Sequence, residues 1–340
     1  MRHGKLDRDT AQGLKELRRR LEADGNRVPP SILDETMNLA TWNIREFGRR
    51  ARLPKSLHYI AEVIGRFDLV ALTEVRRDLN ELLRVMDLLP PFWDFVVSDY
   101  SSDRAANKER VAYVFDKRVV RFTGLAAEAD PPRKRNKDGR YKSSFTWWRA
   151  PYIASFRSGN FDFVVVTVHL RWGSGEMERL IPLKELAKWA RKRSRDECGF
   201  DRDLLVVGDM NIPSRQSELF RAVGRYGLKL PGALAELRES KATTNLSRKA
   251  VYDQILHHAT NPCRFTNNSG ERALRMAKTK IKVSGCFRTQ AFGEAYARIS
   301  SYLQSMAALG YNPLVAIQIA LAGQAADMVQ QHDGPTLPEA

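Results

Sequence analysis

Cysteine is scarce in this chain of 340 residues: Cys198, Cys263 and Cys286 are an odd number without metal-ligand spacing. That argues against a disulfide-framed secreted scaffold and points to free thiols in a reducing cytoplasm. Long apolar runs are missing as well. The longest, residues 306–322, is broken by Gly310, Asn312, Pro313 and Gln318, so no segment is expected to span a membrane. Residues 1–30 are polar and charged and hold no apolar core of a secretory leader. Acidic residues are the charge in short supply, 40 Asp and Glu against 56 Lys and Arg, for a net charge of +16. An excess of this size favours polyanionic partners, nucleic acid first among them.

What the chain does have is a set of short Val- and Leu-rich runs, each ending in a polar residue. They are Leu39-Ala-Thr-Trp-Asn43, Leu69-Val-Ala-Leu-Thr-Glu74, Val164-Val-Val-Thr-Val-His169, Leu204-Leu-Val-Val-Gly-Asp209-Met-Asn211 and Val251-Tyr-Asp253-Gln-Ile-Leu. Runs of this length and composition are expected to be buried strands. A polar group at the end of such a strand is pinned by the sheet and open to a cleft, where reacting groups belong. Asp209 and Asn211 lie two apart, so in extended backbone both side chains point the same way. Hard oxygen donors such as Glu74 suit Mg²⁺ or Mn²⁺, and Asn43 and Glu74 are the expected metal side. Asp209 is suited to hold a metal or orient water, and Asn211 to donate to a phosphate. Arg76, Arg110 and Arg149 are candidates for planar, forked contacts to phosphate.

The ordered set resembles the endonuclease/exonuclease/phosphatase superfamily, and within it deoxyribonuclease I. The resemblance rests on Asn43-Ile-Arg-Glu-Phe-Gly48, Thr73-Glu74-Val-Arg76, Lys108-Glu109-Arg110, Arg149-Ala-Pro-Tyr-Ile, Val168-His169-Leu, Gly208-Asp209-Met-Asn211 and Tyr252-Asp253-Gln-Ile. It covers residues 37–256 and implies a four-layered α/β sandwich, two mainly antiparallel sheets face to face with helices outside. It also implies that His169 pairs with Glu109. A carboxylate partner fixes the imidazole tautomer and suits the pair to proton transfer near neutral pH.

The chain departs from that pattern at one place. Family members finish with a strand bearing Ser-Asp-His, whose His is oriented by the Asp that matches Asp253. The chain contains no Ser-Asp-His and no Asp-His dipeptide. The sheets are therefore expected to lack their last strands, and the catalytic set His169, Glu109, Asp209 and Asp253 to be incomplete.

Three regions are expected. Residues 1–36 read as a basic helical arm with Leu14, Leu17 and Leu21 on one face, ended by Pro29-Pro30. Residues 37–260 read as the hydrolase-like domain, with helices at 58–67, 79–89 and 178–193. Residues 131–140 form a charged loop ahead of Phe145-Thr-Trp-Trp148, whose aromatics suit a core better than a stacking surface. Residues 261–340 read as a helical tail. Within it, Thr266-Asn-Asn-Ser-Gly-Glu271-Arg through Gly323 resembles the C-terminal end of IS66-type transposases. Three functions stay open: a metal-dependent DNA endonuclease impaired at its terminus, an inactive polyanion-binding remnant, and a transposase-derived nucleic-acid-binding fusion. Lipid or small-phosphate substrates are not excluded by the motifs.

Overall fold

A computed structural model describes residues 1–23, 28–32, 36–100, 108–143, 145–159, 161–196, 198–199 and 201–258. In chain order the strands are β1 (Leu39–Phe47), β2 (Leu69–Val75), β3 (Trp93–Val97), β4 (Arg110–Asp116), β5 (Val120–Glu128), β6 (Arg133–Arg135), β7 (Tyr141–Ser143), β8 (Tyr152–Ser158), β9 (Phe161–His169), β10 (Leu204–Asp209) and β11 (Asp253–His258). The longer helices are α1 (Arg8–Glu22), α2 (Pro54–Ile64), α3 (Asn80–Leu88) and α4 (Glu176–Arg195), followed by the short α5 (Glu218–Gly224) and α6 (Gly232–Glu236). One sheet has the order β1-β2-β4-β3, the other β11-β10-β9-β8-β5, and β6 and β7 form a separate two-stranded ribbon. In the two main sheets only β1–β2 and β9–β10 are parallel pairs.

The alternation of side chains along each strand builds the layers. Leu69 and Ala71 of β2, Tyr113 and Phe115 of β4, Phe163 and Val165 of β9, and Leu205 and Val207 of β10 fill the space between the sheets. Their neighbours point the other way. Val70 and Leu72 pack on Ile60 and Ile64 of α2 and on Leu82 and Val85 of α3. Val164, Val166, Leu204 and Val206 pack on Leu183, Leu186 and Ala190 of α4 and on Leu219 of α5. The result is the four-layered α/β sandwich of the deoxyribonuclease I type. Helix α2 begins at Pro54, four residues ahead of the expected start, because a proline at the first helical position costs no hydrogen bond.

The N-terminal helix is more than a basic arm. Leu14 is buried, and Arg18 reaches Glu62 of α2 with Nε and Nη2, both at 2.9 Å. His3 Nε2 lies 3.1 Å from the same carboxylate. Burial pushes the Glu62 carboxyl up, but these partners outweigh it and hold it at about 2. The stability it carries is complete above the ordinary carboxylate range and is lost as pH falls through about 2. Glu62→Ala leaves two basic side chains uncompensated and is expected to cost about 2–3 kcal/mol in urea unfolding at neutral pH, the low end for a broken buried pair because Arg18 still reaches water. A change below about 0.5 kcal/mol, the scale of an ordinary surface substitution, would contradict that docking.

Among the described residues no helix is long and apolar enough to cross a membrane. Cys198 is a free, exposed thiol, while Cys263, Cys286 and the transposase-like segment lie outside the described residues. β1 has one open edge among the described strands, and the outer edge of β11 is bridged at His257 by Lys229.

Candidate active site

The strand register places the site. His169 is opposite Asp209 across β9–β10, and Asp209 is opposite Asp253 across β10–β11. The three therefore stand in one row at the end of the second sheet, neighbouring strands being about 5 Å apart. All three continue the face that carries Val165, Val207 and Ile255, so they point into the gap between the sheets. Asn43, the last β1 residue before its pairing with β2 shifts, closes the gap from the other sheet. Its Nδ2 donates to Glu74 Oε1 at 2.8 Å and to Asp209 Oδ2 at 3.0 Å.

Local backbone departures aim these groups. The β1–β2 pairing shifts between Asn43 and Phe47, where β1 carries extra residues. Arg45, Glu46 and Glu74 adopt left-handed conformations, with φ of 49°, 51° and 61°. Non-glycine residues held there cost of order 1–3 kcal/mol each, and such residues cluster at functional sites. The turn brings the Glu46 amide to Glu74 Oε2 at 2.9 Å. On the other sheet Gly208 has φ +121°, and a Cβ there would sit 2.1 Å from the Val168 carbonyl oxygen. Only glycine lets β10 approach β9 this closely beside Asp209.

His169 Nδ1 lies 2.8 Å from Glu109 Oε2, the pairing the resemblance implies, and Nε2 faces Glu74 Oε1 at 3.8 Å. Burial alone would raise the Glu109 carboxyl. The His169 contact and the charges of Arg149 and Arg76 more than offset it and hold the group below its ordinary value. Arg149 Nε is 2.7 Å from Glu109 Oε2, and its Nη2 donates to Oε1 at 3.1 Å. Arg76 Nη1 is 3.6 Å from Glu109 Oε1, while its Nη2 holds Glu46 Oε1 at 2.9 Å. Arg76 and Arg149, expected to grip phosphate, are thus brought to the cleft but engaged with Glu109. Arg110 is turned toward the Ser98 carbonyl at 2.7 Å and Asp99 Oδ1 at 3.1 Å, with its guanidinium over the Tyr100 ring. Glu74, Glu109, Arg110, Arg149 and His169 line one cavity.

Asn211, also left-handed with φ 52°, commits its Nδ2 to the Leu170 carbonyl at 2.7 Å, while its amide donates to Asp209 Oδ1 at 2.9 Å. Its donor group therefore locks the end of β9 to the turn after β10, and is not free to reach a phosphate. Asp253 is mostly buried, and its Oδ1 lacks a hydrogen-bond partner. Burial, then the Asp209 charge, pushes its carboxyl up to about 7. Its ionisation opposes folding, with the penalty absent below the ordinary carboxylate range and complete above about 7. His257 lies four residues along β11, about 13 Å from Asp253, and cannot serve as its imidazole.

Sequence reasoning missed Glu46, whose amide and carboxylate brace Glu74 and Arg76. It sits three residues after Asn43, but no glycine marks the left-handed turn that brings it inward. A larger cavity of about 730 Å³ lies at the opposite end of the first sheet, beside Asp68, Asp116 and Arg118. There Arg118 Nη2 holds Asp116 at 2.6 Å, while Asp68 accepts from Ser31 and the Asn38 amide, so charges are matched locally.

No curated protein matches the chain. Among solved structures it is similar to an endonuclease/exonuclease/phosphatase family protein from Leptotrichia buccalis, with 13% identity and a TM-score of 0.47, over 66% of this chain and 88% of that one. A humanized D. rerio TDP2 is similar at 15% identity and a TM-score of 0.47, over 66% and 84% of the two chains. A mannosyl-6-phosphatase from Bacteroides thetaiotaomicron is similar at 14% identity and a TM-score of 0.45, over 66% and 86%. The Endonuclease/Exonuclease/phosphatase family matches residues 40–277, well over half of the chain and past the boundary expected at 260. The fold, the row of strand-end residues and this match together establish that the chain belongs to the endonuclease/exonuclease/phosphatase family.

Proposed function

We propose that the chain is a divalent-cation-dependent phosphodiester hydrolase acting on nucleic acid, DNA foremost, with a site made incomplete by the lack of Ser-Asp-His. The observation that carries this reading is the His169–Glu109 pair, 2.8 Å apart, beside the Glu74 and Asp209 carboxylates that Asn43 bridges.

The donor set suits a hard cation. Its oxygens are those of Glu74 and Asp209, bridged by Asn43 Nδ2 while Asn43 Oδ1 accepts from the Arg45 amide at 3.0 Å, and of a third carboxylate, Asp253, with an unpartnered oxygen. Among the described residues no group of three or more His, Cys, Asp and Glu side chains is arranged to hold an ion by itself. Magnesium keeps several waters and is held by one or two carboxylates, so that arrangement fits it. Glu74 and Asn43 would hold Mg²⁺ or Mn²⁺, with Asp209 beside them. The ion supplies charge neutralisation at the phosphoryl oxygens.

The chain's own residues supply the rest. With Nδ1 facing Glu109, the tautomer assigned from this partner carries its proton on Nδ1, leaving Nε2 to accept a proton in the cleft. Glu109 fixes the ring and stabilises the imidazolium once formed. Arg76 and Arg149 keep Glu109 ionised, so they act as positioning residues, and Arg110 lines the same cavity as Arg149. Asn211 and Gly208 hold the strand ends in register. The +16 charge of the chain favours nucleic acid over uncharged or cationic substrates. The low cysteine content points to a reducing cytoplasm.

Bis(p-nitrophenyl) phosphate, a phosphodiester without bases, tests the reaction class. Release of nitrophenolate with Mg²⁺ or Mn²⁺, stopped by a chelator, is expected. Hydrolysis that a chelator leaves unchanged would contradict the cation requirement, and hydrolysis only of the phosphomonoester would contradict the reaction class.

A further inference from the structure

Two tryptophans are exposed in the described structure, Trp148 at 38% and Trp172 at 52%, and both adjoin site residues. Trp148 precedes Arg149, which holds Glu109, and Trp172 follows His169 by three positions. The expectation that residues 145–148 serve the core is met by Trp147, which is buried and donates from Nε1 to the Pro182 carbonyl at 3.1 Å. Trp148 departs from it. With φ +65° its side chain is turned out of the core, and the Arg171 guanidinium lies 4.5 Å from its ring centre. Trp172 is braced by Arg179, 4.6 Å from its ring centre, and by Tyr252, whose ring meets it edge-on at 5.2 Å. Tyr252 immediately precedes Asp253. Each indole thus carries a guanidinium against its ring, Trp172 meets Tyr252 as well, and both keep a substantial exposed part.

The connection that carries Trp148 is rich in cations. The β5–β8 connection leaves the second sheet at the His169 end, because Glu128 pairs with Tyr152 and Tyr152 with Thr167. That connection holds the β6–β7 ribbon, in which residues 133–142 carry six Lys and Arg against one acid, Asp138. The three residues of each ribbon strand are all exposed. Aromatic faces beside a cationic ribbon are the elements that bind single-stranded nucleic acid, since every base offers a π-face and every phosphate a charge.

We propose that Trp148 and Trp172 form a base-stacking platform at the mouth of the cleft, and that the β6–β7 ribbon tracks the phosphates of an unpaired strand. The preferred ligand is single-stranded nucleic acid, DNA or RNA, or the frayed end of a duplex. This deepens the proposed hydrolase reading by naming the form of its substrate, but its test reads binding and needs no turnover.

The probes are a 12-nucleotide thymidine strand, an abasic strand of equal length and a blunt duplex, each titrated against the full chain by fluorescence anisotropy. The thymidine strand is expected to bind more tightly than the abasic strand. Trp172→Ala and Trp148→Ala should each weaken the thymidine strand by roughly 5- to 100-fold, the range for loss of one stacked base, with a much smaller effect on the abasic strand. Trp172→Phe should recover most of the binding, and circular dichroism checks that each variant folds. Replacing Lys134, Arg135 and Arg140 by Ala should flatten the salt dependence on all strands, since every phosphate left without its cation lowers the slope by about 0.7 on single strands. Equal weakening on the thymidine and abasic strands would overturn the platform, as would tighter binding of the blunt duplex. Failure of hydrolysis alongside normal discrimination between the strands would overturn the hydrolase reading and leave the platform standing.

Discussion

Replacing His169 by Ala is expected to slow phosphodiester hydrolysis by roughly 10²- to 10⁴-fold, the contribution typical of a positioned general acid or base. The ring is held on one side by Glu109, and its other nitrogen faces the cleft toward Glu74. Loss should appear in kcat with little change in KM, because the imidazole acts on the reacting groups and not on the body of the substrate. Glu109→Gln should reproduce much of the loss, since an amide neither carries the countercharge nor fixes the tautomer as a carboxylate does. It also leaves Arg149 and Arg76 short of a buried partner. Breaking such a pair from one side costs about 3–5 kcal/mol when it is fully buried, so Glu109→Gln should lower the unfolding midpoint as well. His169→Ala should not do so to the same degree. Retention of more than half the turnover in His169→Ala would remove the proton-transfer role.

Restoring the missing motif should have the opposite effect. A segment grafted after His258 and ending in a strand with Ser-Asp-His is expected to raise turnover by about 10²-fold or more, because members of a catalytic set act as a unit. The structure offers a place for it. β1 has an open edge among the described strands, and it lies at the site, where Asn43 of β1 reaches Asp209. A strand on the free edge of β1 would bring its polar end next to Asn43. Asp253, whose Oδ1 is unpartnered and whose carboxyl is pushed up to about 7, would gain an imidazole to orient. Its burial would then be compensated, and the carboxyl should fall back toward the ordinary range. If the graft folds and turnover stays unchanged, the site was never short of these groups.

The layers were legible because buried strands leave a strong mark. Val164 to Val168 and Leu204 to Val207 are apolar on both faces, as central strands of a two-sided sandwich must be. The row His169, Asp209 and Asp253 was legible for a related reason, since His169 and Asp209 end strands, Asp253 opens one, and register then aligns them. What stayed hidden was governed by residues distant in sequence. The engagement of Arg76 and Arg149 with Glu109 depends on three separate segments converging. The capture of Asn211 by Leu170 depends on a left-handed turn that no glycine announces. The outward turn of Trp148 beside the buried Trp147 rests on one backbone angle, which composition does not encode.

The central claim is that the cleft between the sheets hydrolyses phosphodiesters with a cation held at Glu74. Its most direct test is nicking of supercoiled plasmid by the full chain and by Glu74→Ala, each with Mg²⁺, with Mn²⁺ and with a chelator. Slow, cation-dependent nicking by the chain and its loss in Glu74→Ala by roughly 10²-fold or more is the expected result, since a few kcal/mol of charge stabilisation disappear with the ligand. Equal nicking by both proteins, or nicking that survives the chelator, would contradict it.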